Sequence, residues 1–141
     1  MSDPIEVLLS SGADYGYALR TPELHGVTMD TLPVWLQLYI SSRGITPAKP
    51  PVNVSDIYFT NYFVTRVAWW EQPAVQRFLH AVDRTANIYT YRWGDAPLQT
   101  AALHMFGSRP LAYVSVDYSH TSTENRIQVT CVTYLCVWGR M

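Results

Sequence analysis

Lysine occurs once in this chain, at Lys49, and cysteine only twice. Ten basic residues against eleven acidic ones leave a formal charge of −1. Binding to nucleic acid through its phosphates needs a basic excess, so that class is excluded. The longest apolar stretch, Cys131 to Trp138, is far shorter than the roughly 20 residues of a bilayer span, and no span is expected. Met1-Ser2-Asp3-Pro4 has neither the basic start nor the apolar core of a signal peptide. A Gly-rich phosphate loop, a Gly-x-Ser-x-Gly elbow and a Cys-x-x-Cys pair are all missing, which removes the reactions those motifs support. Cys131 and Cys136 lie five apart in what reads as a strand, so they point to opposite faces and a local disulfide is not expected.

Hydrophobic residues make up 48% and charged residues 15%, which excludes general disorder. A chain of 141 residues is one domain's length, and no internal boundary divides it. Aromatics reach 13%, with five Trp and ten Tyr. Such side chains pair an apolar face with a polar edge and suit sugar rings as well as cores. Asn53-Val54-Ser55 is a glycosylation sequon in a Pro-rich loop.

Strand and helix signals alternate, so the class is α/β. Asp3-Pro4 opens a short helix with Ile5, Leu8 and Leu9 on one face, and Gly12 ends it. Asp14 to Arg20 alternates as a strand. A helix is expected from Thr31 to about Ser42, with Pro33 in its first turn and Leu32, Trp35, Leu36 and Tyr39 as its apolar stripe. Ile57 to Val64 reads as a buried strand. The helix from Pro73 places Val75, Phe78, Leu79 and Val82 at i, i+3, i+4 and i+7. Asn87 marks a turn, Tyr89 to Trp93 reads as extended, and a further helix runs from Gly94-Asp95-Ala96-Pro97 toward Phe106. Leu111 to Tyr118 and Ile127 to Val137 complete the strand candidates. His80 and His104, within helices, read as solvent-facing or satisfied, and Glu71, Asp83 and Arg84 as a solvated helix side.

The most informative stretch is Tyr91-Arg92-Trp93-Gly94-Asp95-Ala96-Pro97. Gly94 permits a tight turn, and Asp95 can accept amide hydrogen bonds at the helix start. Arg92 is spaced to pair with a carboxylate, and Trp93 can supply an apolar wall. The residues alone leave two readings open: a braced helix cap over a core tryptophan, or a binding site. Tyr58, Asn61, Tyr91 and Trp93 are candidates to line an acceptor groove, with an aromatic core as the competing account.

Arg92-Trp93-Gly94-Asp95-Ala96-Pro97 resembles the hallmark of glycosyltransferase family 15, the fungal-type α-1,2-mannosyltransferases. Asp3-Pro4 with Tyr15-Gly16-Tyr17 is similar to that family's Asp-Pro-Phe to Tyr-Gly-Phe stretch at the same spacing. Thr31-Leu32-Pro33-Val34-Trp35, Thr60-Asn61-Tyr62 and Trp69-Trp70 with Phe78 and Asp83 match further segments, so the similarity runs from about Asp3 to His120. The resemblance implies a partial GT-A fold, a mixed sheet flanked by helices. It implies retaining transfer of mannose from GDP-mannose to a mannoside or glycoprotein glycan, with Mn²⁺, in the Golgi or secretory-pathway lumen. Asp95 and Arg92 become the catalytic candidates, Tyr91, Trp93, Asn61 and Tyr58 the substrate-binding ones, and His120 of Tyr118-Ser119-His120 the metal ligand.

Two departures qualify the resemblance. The family's acidic metal- and nucleotide-binding motif stands just before the Asp-Pro stretch, so the nucleotide-binding part is expected to be missing and residues 1–141 to form the acceptor-side half. The family's Asn-Phe-Glu is Asn61-Tyr62-Phe63 here. A phenyl ring cannot attack an anomeric carbon or stabilise positive charge as a carboxylate does. The chemistry is then front-face, or Asp95 or Asp117 substitutes, or the chain is a non-catalytic fragment with a glycan-binding groove. A transferase for another nucleotide sugar is a further alternative. Residues 121–141 leave the family pattern.

Overall fold

The computed structural model describes the backbone of residues 3–112, 118–121 and 126–129, and the side chains of residues 3–110. Helix α1 (Pro4–Ser11) starts as the sequence predicts. Asp3 accepts the Ile5 amide at 2.9 Å, Pro4 occupies the first turn, and Gly12 closes the helix at φ 68°. Its buried face differs from the expected one: Leu8 packs with Ala13, Val7, Tyr62 and Val64, while Ile5 and Leu9 stay exposed.

The two long expected strands both divide, because each half finds its own partner. Strand β1 (Tyr15–Tyr17) is the centre of a mixed three-stranded sheet, and β2 (Arg20–Pro22) joins β3 (Asp56–Tyr58) in a separate antiparallel pair. On either side of β1 lie β4 (Phe63–Thr65), antiparallel with Tyr17 opposite Phe63, and β5 (Pro110–Ala112), parallel with Tyr15 opposite Pro110. Strands β6 (Tyr118–Thr121) and β7 (Arg126–Val129) form a third, two-stranded sheet. The remainder of the two C-terminal strand expectations, with Asp117, Cys131 and Cys136, lies outside the described residues.

Helix α2 (Gly26–Arg43) begins five residues earlier than expected, because His25 rather than Thr31 caps it, its Nδ1 accepting the Thr28 amide at 3.3 Å. Pro33 therefore sits in the helix interior and removes the amide that would bond to the Met29 carbonyl. Leu32, Leu36 and Tyr39 are buried with Trp35 packed beside them, the stripe the spacing predicts. A short helix α3 (Val67–Trp70) precedes α4 (Pro73–Thr85), which buries Val75, Phe78 and Val82 and leaves His80, Asp83 and Arg84 to solvent. Asn87 opens a one-turn helix α5 (Asn87–Thr90), entered through Ala86 at φ 56°, where an extended approach is expected. Helix α6 (Asp95–Phe106) is buried on nearly every side from Ala96 to Met105.

His104 departs from expectation. It lies in α6 with only 4% of its surface exposed, and neither ring nitrogen makes a well-formed hydrogen bond, the Asn53 backbone acting on the ring only weakly. Its ring stands edge-on to Tyr58 at 6.0 Å. Burial, then the cations Lys49 and Arg20, lower its pKa to about 4, against a small opposing effect of Asp56. Folding thus holds the imidazole neutral, whereas the unfolded chain binds a proton below pH about 6.5. Stability is retained above that pH and lost as the pH falls toward 4. Between pH 7.5 and 5 this one group removes about 2 kcal/mol. Urea unfolding at both pH values measures the slope, and His104→Gln is expected to flatten it.

Candidate functional site

The first two turns of α2 set the geometry of residues 91–95. The hydroxyl of Thr28, 1% exposed, donates to the Arg92 carbonyl at 3.0 Å and lies 2.9 Å from His25 Nδ1. One turn on, Thr31 Oγ1 accepts the Trp93 indole N–H at 2.9 Å and donates to the Val27 carbonyl. Arg92 adopts φ 54°, a left-handed turn disfavoured for a residue with a β-carbon. The two threonine contacts hold that turn and aim the chain into α6.

Trp93 and Tyr58 are corrected by this arrangement. Trp93 is 2% exposed and packs against Trp35 at 5.3 Å, so its ring braces the helix start from within the core and offers no face to a sugar. Tyr58 is equally buried, its ring close to those of Tyr17 at 4.7 Å and Tyr15 at 5.7 Å, and desolvation raises its phenol to about 12. Both belong to the aromatic core that the sequence offered as the competing account.

The expected Arg92–Asp95 pair is not formed. Among the described residues the ion pair is Arg20–Asp56, and the Arg92 group under restraint is its carbonyl. Gly94, not Asp95, is the N-cap of α6, and Asp95, its first residue, is exposed to solvent. One turn later Gln99 Oε1 accepts the Tyr15 hydroxyl at 3.2 Å. Burial raises the Tyr15 phenol strongly, and the negative charges of Asp95 and Tyr58 raise it further. Phe63, 36% exposed, stacks on Tyr15 at 5.5 Å and 15°. Tyr15 is itself fully buried, so Phe63 is the ring of this pair that reaches solvent, and Asp95 is an exposed carboxylate at the helix mouth. The Tyr15–Gln99 contact supports α6 from within the core, a link the sequence reading did not select, although the i, i+4 spacing of Asp95 and Gln99 puts them on one helix face.

Tyr91, 39% exposed and 6.5 Å from Trp93, and Asn61, exposed in the β3–β4 turn, remain at the surface as a groove requires. His120 lies on β6, and its side chain is outside the described residues. Among the described residues no group of three His, Cys, Asp or Glu side chains is placed to hold a metal ion. None of the described helices is long and apolar enough to cross a membrane.

Mixed α/β architecture and the hallmark stretch point to one class of known proteins, the fungal α-1,2-mannosyltransferases, which this chain resembles in sequence and fold. No family model matches the chain. Over 52 residues it is 31% identical to the O-glycoside alpha-1,2-mannosyltransferase omh1 of Schizosaccharomyces pombe, covering 37% of this chain and 13% of that protein. The mannosyltransferase Ktr4p of Saccharomyces cerevisiae superposes with a TM-score of 0.73 at 17% identity, covering 85% of this chain and 36% of that one. Core-mannan synthase A (CmsA/Ktr4) of Aspergillus fumigatus, in its Mn/GDP form, superposes with a TM-score of 0.65 at 13% identity, covering 76% of this chain and 34% of that one. The chain thus spans about a third of the length of these structural relatives.

Because Trp93 is buried and anchored by its indole nitrogen, Trp93→Phe is expected to lower stability by about 2–3 kcal/mol, from the lost hydrogen bond and the cavity left behind. In a Thr31→Val background the same change should cost about 1 kcal/mol less, since the hydrogen-bond partner is already gone and the cavity remains. Denaturant unfolding of the two single variants and the double variant checks this coupling.

Proposed function

We propose that this chain is the acceptor-side portion of a GT-A glycosyltransferase that transfers mannose from GDP-mannose to a mannoside or glycoprotein glycan. The observation that carries the reading is Asp95, exposed at the mouth of α6 beside the Tyr15–Gln99 contact, in the hexapeptide shared with the mannosyltransferase family. Its carboxylate can accept an acceptor hydroxyl proton or balance charge developing at the sugar. Asn61 and Tyr91 would read hydroxyls and an apolar ring face, and Arg92, exposed on its constrained turn, would pair with an anionic group.

The resemblance assigns His120 to Mn²⁺ binding. The described residues supply no complete set of donors, so further ligands would come from elsewhere. When bound, such an ion would neutralise a departing diphosphate. Chemistry at Asp95 is front-face in this reading, since Phe63 occupies the place of the family glutamate. A luminal setting in the Golgi or secretory pathway fits the sequon, whose Asn53 is exposed with Oδ1 accepting from the Ser55 amide at 2.7 Å and hydroxyl at 2.6 Å.

Asp95→Asn, made in the longest protein that carries this chain, is expected to reduce transfer from GDP-mannose at least about 100-fold with Mn²⁺ supplied. Tyr91→Ala is expected to weaken acceptor affinity about tenfold with a smaller effect on turnover. Unchanged transfer in Asp95→Asn removes the role assigned to the carboxylate. A second reading, a glycan-binding module without catalysis, is favoured by one contact: the Phe63 ring lies flat on Tyr15 where a carboxylate would be needed. Calorimetry on the longest protein that carries this chain separates the two, because a module without catalysis would bind mannosides but not GDP-mannose.

A further inference from the structure

Away from Asp95, two arginines stand together where the end of α2 meets the start of α4. A cavity of about 210 Å³ is lined there by Tyr39, Arg43, Ile45, Ala74, Arg77 and Phe106. Its apolar walls are continuous with the core, for Tyr39 and Phe106 each pack against Phe78, at 5.6 and 6.1 Å. Two guanidiniums, Arg43 from α2 and Arg77 from α4, stand at its exposed rim. The Arg43 guanidinium lies over the Tyr39 ring, 5.6 Å from its centre. A shallower depression shares Tyr39 and Arg43 and continues past Trp35 and Leu38.

No carboxylate lines either depression, and among the described residues neither arginine meets an acidic partner. That is unusual in a chain whose acidic residues outnumber its basic ones, eleven to ten. Two like charges set at one opening repel each other unless an anion lies between them. Arg43 has a local reason to stand where it does, since a cation in the last turn of α2 complements the helix dipole. Arg77, in the second turn of α4, has no such reason. The site lies at the far ends of α2 and α6 from Asp95, with α4 as its third wall.

We propose that this cavity binds a small organic oxyanion, a phosphoryl or carboxyl group carried on a flat apolar body. Arg43 and Arg77 hold the oxyanion through charge-assisted N–H···O bonds. The ring or chain behind it lies on Tyr39 and Phe106 and displaces water from apolar walls. The size suits one six-membered ring, since an apolar cavity of about 150 Å³ already takes up benzene. Its occupant is distinct from the glycan and the nucleotide sugar of the reading above, and the proposal does not depend on that reading.

Calorimetric titration of the full chain with phenyl phosphate, benzoate, inorganic phosphate and benzyl alcohol tests the site. At least one of the two aromatic anions is expected to bind about tenfold or more tightly than both inorganic phosphate and benzyl alcohol. The better of the two identifies the oxyanion as phosphoryl or carboxyl. Arg43→Gln and Arg77→Gln are each expected to weaken that binding about tenfold, with Arg77→Gln leaving the melting temperature unchanged because its side chain is at the surface. Ala74→Leu fills the cavity without altering charge and should also reduce binding, and the amides of Ile45 and Ala74 should shift on titration of the parent chain. Failure of both aromatic anions to bind, or binding that survives Arg77→Gln and Ala74→Leu together, overturns the proposal.

Discussion

Two threonine hydroxyls near the start of α2 hold the rest of the site in place. Thr28 restrains the Arg92 carbonyl and Thr31 restrains the Trp93 indole, so a left-handed residue is followed by a fully buried one. Without these contacts the chain would have to choose between relaxing Arg92 and burying Trp93. With them, both are met at once, and α6 leaves the turn with its first carboxylate in solvent. The early start of α2 is therefore a requirement of the site, because a helix beginning at Thr31 could not present Thr28.

Behind that turn the interior is unusually aromatic. Trp35 stacks on Tyr39 at 5.2 Å, and Tyr15 meets Tyr58, Phe63 and Trp70. Rings of this size fill space between short strands that could not enclose a core by themselves. Each described strand is only three or four residues long, so side-chain packing, more than ladder hydrogen bonding, fixes how the sheets meet the helices. The same rings reach the surface at Phe63 and Tyr91, where the interior and a saccharide groove would share one apolar layer.

Much of this was legible from residue order, and the parts that were not have physical causes. Helix α4 follows from Val75, Phe78 and Val82 because the 3.6-residue period is strong there, and α1 and α6 follow from their Pro and Gly boundaries. The division of Asp14–Arg20 and Ile57–Val64 into separate strands depends on partners far along the chain, which local alternation cannot reveal. Trp93 and Tyr58 carry the chemistry of sugar binding and of cores alike, so only burial separates the two. His104 was misjudged for a related reason: nothing in its neighbours in sequence announces that Tyr58, Lys49 and Arg20 will surround it. The hallmark stretch led to Asp95, whose exposure agrees with the role proposed, while the pairing with Arg92 gave way to backbone restraint.

Among the described residues, the sheet centred on β1 and the β2–β3 ribbon share no ladder, yet both are fastened to α6. Tyr15 reaches Gln99 by its hydroxyl, and the Tyr58 amide donates to Thr100 Oγ1 at 3.0 Å. Adjacent positions on a single helix thus act as a keel for two ribbons that also meet through the rings of Tyr15, Tyr17 and Tyr58. What neither can tolerate is a rotation of the keel, since that would release both fastenings in one movement and re-aim the carboxylate at its tip.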